Sequence, residues 1–433
     1  MKARPRILVV GAGYVGLATA VFLAAKGHTV TVSEKRPETV DLLRRGRLHF
    51  REAELARRLK DTVASKRLTV DVPEPEIYRQ ADIIYIAIDS ADRNTWRMRL
   101  EPFEEMAGWI GAVPRKTPPT VVLKSTNRLG FADEFRALLD DTPHGKKAKL
   151  LVNPEFLREG FAFEDTAKPW RIVVGSQNRK DAARLLMVYR TIYPKSVEIV
   201  HTDYRSAELI KLAANVYLAY RLSYIHEIAD FSRREGLDIE AIRRGIGLDP
   251  RIGLDYFNPG LGFGGSCLPK DCMLINSEET DKPFTFESAL AAMTINDRLL
   301  TNLVELLKDR LGSLQGKKIA ILGAAFKPDV DDTRNSRAVE LAKLLKRRRA
   351  KVAVFDPYLA GRAVIPETKI ELVPDLNTAL KGASAVVIGA AHRRFAMIKP
   401  KQTAGLVKRK LVIDYFRILN RKGWQDAGFE LVW

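Results

Sequence analysis

One stretch near the start constrains the chain most. Residues 6–10 form a short apolar run, Gly11, Gly13 and Gly16 follow at close spacing, and residues 17–26 carry an apolar helical pattern. Three glycines so placed serve separate ends. The first permits a tight turn, the second lets backbone approach a pyrophosphate, and the third lets helix pack on strand. Phosphates then meet N–H groups at a helix N-terminus, so Gly11, Gly13, Tyr14, Val15 and Gly16 are candidate cofactor contacts. A second strand pattern at 29–32 leads to Glu34, where a carboxylate can accept ribose hydroxyls. A carboxylate repels a 2′-phosphate, so NAD is expected over NADP, with Lys35 and Arg36 the groups that could hold such a phosphate. The opening also has the outline of a secretory leader, Lys2, Arg4 and Arg6 preceding the apolar run. A leader accounts for neither the glycines nor the strand that follows at once. A βαβ unit in a cytoplasmic protein is expected.

Further strand patterns at 83–88, 120–124 and 171–175 alternate with helical stretches, as a doubly wound parallel sheet requires. From 206 to 234 there is no Gly or Pro, and Leu209, Leu212, Val216, Leu222, Ile225 and Ile228 recur at helical spacing. That predicts a long helix with more than one buried face, suited to a dimer interface. A strand and turn restart at 316–323, followed by a helix at 336–348 and strands at 351–355, 384–388 and 411–414. The fold class expected is α/β: two Rossmann-like doubly wound domains joined by a long central helix. At 433 residues the chain divides into 1–200, 201–312 and 313–433.

Lys and Arg number 72 against 53 Asp and Glu, a net charge of +19 that favours anionic partners without naming one. The densest basic run, 346–351, follows a helical pattern and reads as a helix C-terminus favoured by the macrodipole. No aromatic residues interleave with it for base stacking, so nucleic acid is not an expected partner; no membrane partner is expected either. The two cysteines, Cys267 and Cys272, build no disulfide framework.

Cys267 lies in the most unusual stretch, 258–271, where four glycines precede a cysteine that meets Pro269, Lys270 and a helix start. A thiol at a helix N-terminus beside a lysine has the setting of a nucleophile, and the glycines suit close ligand approach. Cys272 lacks that setting and reads as structural, and the spacing gives no metal site. Lys211 and Asn215 lie four apart on the long helix and share a face. They, Glu155 and Glu159 read by periodicity as solvated.

The motifs GAGYVG (11–16), KST (124–126), NPEFLREG (153–160), ELIKLAAN (208–215), RIG (251–253), GFGGSCLPKD (262–271) and FKPDVDDTR (326–334) resemble, in order, those of the nucleotide-sugar dehydrogenases, the UDP-glucose/GDP-mannose dehydrogenase family. The resemblance implies NAD-dependent oxidation of a sugar C6 alcohol to a carboxylate in two steps, without release of the aldehyde. UDP-glucose is the expected substrate and GDP-mannose the alternative. Cys267 matches the family's nucleophile, and Lys211 and Asn215 its stabilisers of the C6 oxygen. Asp271, Glu155 and Thr126 match groups that handle protons and water, Glu155 being the preferred base. Ser90, Thr126, Glu159, Lys270 and Arg334 match cofactor contacts. Glu155, Phe156, Leu157, Lys211, Asn215, Tyr256, Asn258, Gly264, Phe326 and Lys327 match substrate contacts. Arg251 matches an arginine contributed across a homodimer interface. The chain departs from the family at Ile88-Asp89-Ser90-Ala91, at Thr39, where Arg36 is a substitute for a basic residue, and at Asp414-Tyr415-Phe416-Arg417.

Overall fold

The computed structural model describes residues 4–92, 95–277, 284–366 and 368–433. Lys2 and residues 278–282 of the charged loop lie outside the described residues. The chain forms two compact units, Met1–Ala214 with Met273–Phe284, and Asn215–Cys272 with Thr285–Trp433.

The first unit is built on eight strands: β1 (Ile7–Val10), β2 (Val30–Ser33), β3 (Leu68–Asp71), β4 (Ile83–Ile86), β5 (Thr120–Leu123), β6 (Lys149–Val152), β7 (Arg171–Gly175) and β8 (Glu198–Thr202). They run in the order β3-β2-β1-β4-β5-β6-β7-β8, parallel except where β6 meets β7. The strand order reverses between β1 and β4, and ligands of open α/β sheets bind outside the carboxyl ends of the strands at such a point. β1, β4 and β5 are buried at every position, which explains why, Thr120 apart, their sequences are apolar. The helix Tyr14–Ala25 starts in the glycine turn and buries every residue from Gly16 to Ala24.

The second unit carries β9 (Lys318–Leu322), β10 (Lys351–Phe355), β11 (Ala385–Ile388), β12 (Leu411–Ile413) and β13 (Glu430–Val432). Their order is β10-β9-β11-β12-β13 and all pairs are parallel. This is the shorter, flavodoxin-like winding of the same α/β plan. Apolar clusters cover both faces, one including Ile319, Ile321 and Leu341, the other Ala320, Leu322 and Trp424. The basic run sits where the sequence places it, at the C-terminus of the helix Arg337–Arg347, and Arg349 at φ 60° ends it. At the other end Ser336 accepts from the Val339 N–H.

The helix Tyr204–Glu235 is 32 residues long, and the division between the units falls within it. Its apolar positions Leu212, Val216 and Ile225 are buried, and so are its polar Glu208, Lys211, Asn215, Ser223 and His226. Tyr217, Tyr220, Tyr224 and Phe231 are exposed instead.

Candidate active site

The turn after β1 tests whether the chain fits a dinucleotide. Gly11 has φ 98°, and a Cβ there would lie 2.4 Å from the Ala87 carbonyl oxygen; at Gly16 it would lie 2.0 Å from Gly11 O. These two glycines are required by the protein's own packing. Around Gly13 a Cβ would meet nothing within 4 Å, although Gly13 is the N-cap of the helix and carries no capping side chain. Backbone N–H groups left uncapped at a helix start, with open space before them, fit a pyrophosphate.

Glu34 follows β2 and is buried. Its Oε2 accepts from the Ala12 N–H at 3.2 Å, and its Oε1 accepts from Arg36 N at 3.1 Å and Nε at 3.0 Å. Burial pushes the carboxyl up, but Arg36 outweighs that and holds it below the usual range. Lys35 pairs with Glu105. Both cations available for a 2′-phosphate are therefore turned onto carboxylates. The departing loop after β4 is tied to the motif after β5: Ser90 Oγ donates to Thr126 O at 2.5 Å, and Ser125 Oγ accepts from Ile88 N at 3.0 Å.

Beyond β6 the turn 153–157 delivers Glu155. Its Oε1 meets Lys211 Nζ at 2.9 Å, and its Oε2 accepts from Leu157 N at 2.7 Å. Both residues are buried, Lys211 to 3 % exposure and Glu155 to 8 %, which corrects the expectation of a solvated pair. Periodicity along the helix cannot foresee a carboxylate arriving from a distant loop. A buried ion pair is costly unless well paired, and here each partner's charge meets the other directly. Phe156 lies beside the pair, Lys211 Nζ being 5.6 Å from its ring centre. Sequence reasoning passes over Asn153, the first residue of this turn, and Lys124, whose Nζ lies 3.1 Å from Asn153 Oδ1. The available signal was a lysine directly after the apolar strand β5.

In the second unit Cys267 is exposed and Cys272 buried. Burial pushes the Cys272 thiol up to about 12, so it is inert. Cys267 directly precedes the helix Leu268–Leu274, and its carbonyl accepts the first helical bond from Asp271 N at 2.9 Å. Asp271 is fully buried; its Oδ2 accepts from Asn215 Nδ2 at 2.6 Å and its Oδ1 from Lys270 Nζ at 2.6 Å. The lysine beside the thiol thus serves the aspartate.

The glycines before Cys267 have a packing cause beside the ligand approach expected of them. A Cβ at Gly260 would meet Phe416, at Gly262 Asn296 Oδ1, at Gly264 Asn335 O at 2.2 Å, and at Gly265 the Phe326 ring at 2.7 Å. They let the Cys267 loop pack against its own unit, chiefly against the 326–335 segment. There Gly265 N donates to Arg334 O at 3.1 Å, Asn335 Nδ2 donates to Gly265 O at 2.9 Å, and Arg334 Nε donates to Asp332 Oδ2 at 2.7 Å. Tyr256 has φ 54°, and Asn258 Oδ1 accepts from Arg243 at 3.1 Å. Arg251 leaves 87 % of its side chain exposed while holding Asp249. Arg417, the nearest arginine in the altered 414–417 segment, faces Asp238 and the Trp433 ring. Glu159 and Lys327 lie in these same two loops, after β6 and after β9. Among the described residues no group of three His, Cys, Asp or Glu could hold a metal ion, and no helix is long and apolar enough to cross a membrane.

Comparison with known proteins covers nearly the whole chain. Three family models match: the UDP-glucose/GDP-mannose dehydrogenase NAD binding domain at residues 5–193, its central domain at 205–298 and its UDP binding domain at 320–421. A Bacillus subtilis (strain 168) protein named UDP-glucose 6-dehydrogenase YwqF is 35% identical over 385 residues, 88% of this chain and 86% of the relative. A Rhizobium meliloti (strain 1021) UDP-glucose 6-dehydrogenase is 31% identical over 98% of both chains. Among solved structures, a UDP-glucose dehydrogenase from the hyperthermophilic archaeon Pyrobaculum islandicum superposes with a TM-score of 0.89 at 33% identity, over 98% of this chain and 96% of that one.

Proposed function

The chain belongs to the UDP-glucose/GDP-mannose dehydrogenase family, whose members use NAD to oxidise nucleotide sugars, and from that premise we propose that it converts UDP-glucose to UDP-glucuronate by two successive oxidations at C6. The observation that carries this reading is the pairing, beside the exposed thiol of Cys267, of a fully buried Asp271 with Asn215 and Lys270. Bound NAD supplies the hydride acceptor; the open backbone at Gly13 and the Glu34 carboxylate would hold it.

In this reading Lys211 and Asn215 donate to the C6 oxygen as negative charge develops there, a task for a cation and an amide placed in advance. The Cys267 sulfur adds to the C6 aldehyde, forming a C–S bond and a thiohemiacetal, whose oxidation leaves a thioester. Glu155 takes a proton from water, which attacks the thioester carbonyl. The C–S bond breaks, the thiol regains its proton and the carboxylate departs. Asp271 and Thr126 position water and substrate, and Glu159, Lys270, Arg334 and Ser90 complete the cofactor contacts. Phe156, Leu157, Tyr256, Asn258, Gly264, Phe326 and Lys327 complete those of the nucleotide sugar.

The same reading makes the protein a cytoplasmic homodimer organised as 1–200, 201–312 and 313–433. Exposed Tyr217, Tyr220, Tyr224 and Phe231 on one long helix support a self-association face, and the extended Arg251 is suited to reach a neighbouring subunit. NAD reduction measured with UDP-glucose, GDP-mannose and UDP-N-acetylmannosamine in parallel tests the substrate. The highest kcat/KM belongs to UDP-glucose; a higher value for GDP-mannose replaces the substrate and keeps the chemistry.

A further inference from the structure

Lys124 stands at the carboxyl end of β5, and the reaction above gives it no task. Its ammonium donates to the main-chain oxygen of Asn153 at 3.3 Å and to Asn153 Oδ1 at 3.1 Å. Asn153 is itself fixed. Its amide donates to Val173 O at 2.7 Å, and its Oδ1 accepts from Tyr189 OH at 2.6 Å, with the Tyr85 hydroxyl 3.3 Å behind. Pro154 and Glu155 follow directly, so Lys124 grips the root of the turn whose carboxylate holds Lys211 at 2.9 Å. A cavity of about 70 Å³ borders Lys124, Asn153, Glu155, Asp165, Arg171 and Tyr189, with room for a few waters.

We propose that Lys124 is a positioning residue for the dehydrogenase reaction, holding Glu155 from the root of its turn and acting as a second cation beside the Glu155–Lys211 pair. Its ammonium attracts the Glu155 carboxylate and opposes the Lys211 ammonium. The inference rests on reading Glu155 and Lys211 as reacting groups. Burial pulls the Lys124 ammonium down to about 8, Glu155 opposing that and Lys211 adding to it.

Full-length Lys124→Met and Lys124→Arg enzymes, each first shown to bind NAD, provide the test. Lys124→Met lowers kcat roughly 10- to 100-fold, the scale of outer-shell positioning losses, with KM for both substrates little changed. Lys124→Arg keeps most of the turnover. A Lys124→Met enzyme with wild-type kcat, or a Lys124→Arg enzyme as slow as Lys124→Met, overturns the proposal.

A second readout is independent of activity. A lysine titrating near 8 when folded and near 10.4 when unfolded adds stability as pH rises between those values, and Lys124→Met lacks that rise. Parallel stability profiles for wild type and Lys124→Met overturn the charge placement. A folded wild type inactive on every nucleotide sugar overturns instead the reading of Glu155 and Lys211 on which the inference rests.

Discussion

The two units open alike and diverge within a few residues. In each, the first strand ends in a glycine at positive φ, Gly11 at 98° and Gly323 at 97°, and an acid after the second strand accepts from the backbone beyond that glycine. In the first unit the acid is Glu34, the helix begins at Tyr14, and the space before Gly13 is open. In the second the acid is Asp356. Its Oδ2 accepts from Ala324 N at 2.7 Å and Ala325 N at 3.0 Å and lies 3.0 Å from His392 Nε2, and its side chain is fully buried. No helix starts there until Arg337; the 326–334 segment intervenes, its Asp329 N donating to His392 Nδ1 at 2.8 Å. A shared strand-turn-strand therefore does not make a dinucleotide site. What does is a helix that starts inside the turn and an acid left within reach of a ribose.

The largest effect expected of any substitution falls on the second unit's thiol. Cys267→Ser loses turnover by on the order of 10³-fold or more, as loss of a nucleophile does, while NAD titration shows unchanged binding in the first unit. Weaker NAD binding in that variant would break the separation of roles.

Glycine substitutions sharpen the contrast next. Gly11→Ala forces a Cβ to 2.4 Å from Ala87 O at a positive φ, and Gly323→Ala to 2.7 Å from Ala390 N. Each lowers stability by about 1–3 kcal/mol in urea titrations. Gly13→Ala has no protein neighbour to displace, so it leaves stability unchanged and raises KM for NAD. The two acids divide in the same manner. Glu34→Gln weakens NAD binding by about 1–2 kcal/mol with little loss of stability, and Asp356→Asn costs about 1–3 kcal/mol of stability with unchanged NAD affinity.

The smallest effect is a pair of opposed pH dependences. Glu208 accepts from Gly130 N at 2.7 Å and Ala132 N at 2.8 Å, and burial pushes its carboxyl up to about 7. The folded protein keeps that proton longer than the unfolded chain, so stability from Glu208 falls as pH rises from about 4.3 to about 7, by at most ~1.4 kcal/mol per pH unit. The deficit of Glu208→Gln relative to wild type then shrinks over that range. Burial opposes ionisation of Asp356 as well, but His392 and the backbone donors outweigh it and hold its carboxyl below the usual range. Its contribution is present above about 3.9 and lost as pH falls, so the deficit of Asp356→Asn shrinks on acidification.

The first unit's half of this contrast was legible in the sequence because it is local: turn, helix start and acid lie in one βαβ stretch. The long helix was legible for the same reason. The Asp356–His392 contact joins residues 36 apart and leaves no periodic trace. Burial of Lys211 and Asn215 depends on Glu155 and Asp271 arriving from elsewhere in the chain. The glycines before Cys267 were legible as room for close ligand approach but not as packing against Phe416, Asn296, Asn335 and Phe326.

The most direct test of the account is the stoichiometry of a reaction with limiting UDP-glucose and excess NAD, run with wild type and with Cys267→Ser. Two NADH formed per UDP-glucose consumed, with UDP-glucuronate as the product and no turnover in the variant, is the predicted result. One NADH per sugar with free aldehyde released, or undiminished turnover in Cys267→Ser, would contradict it.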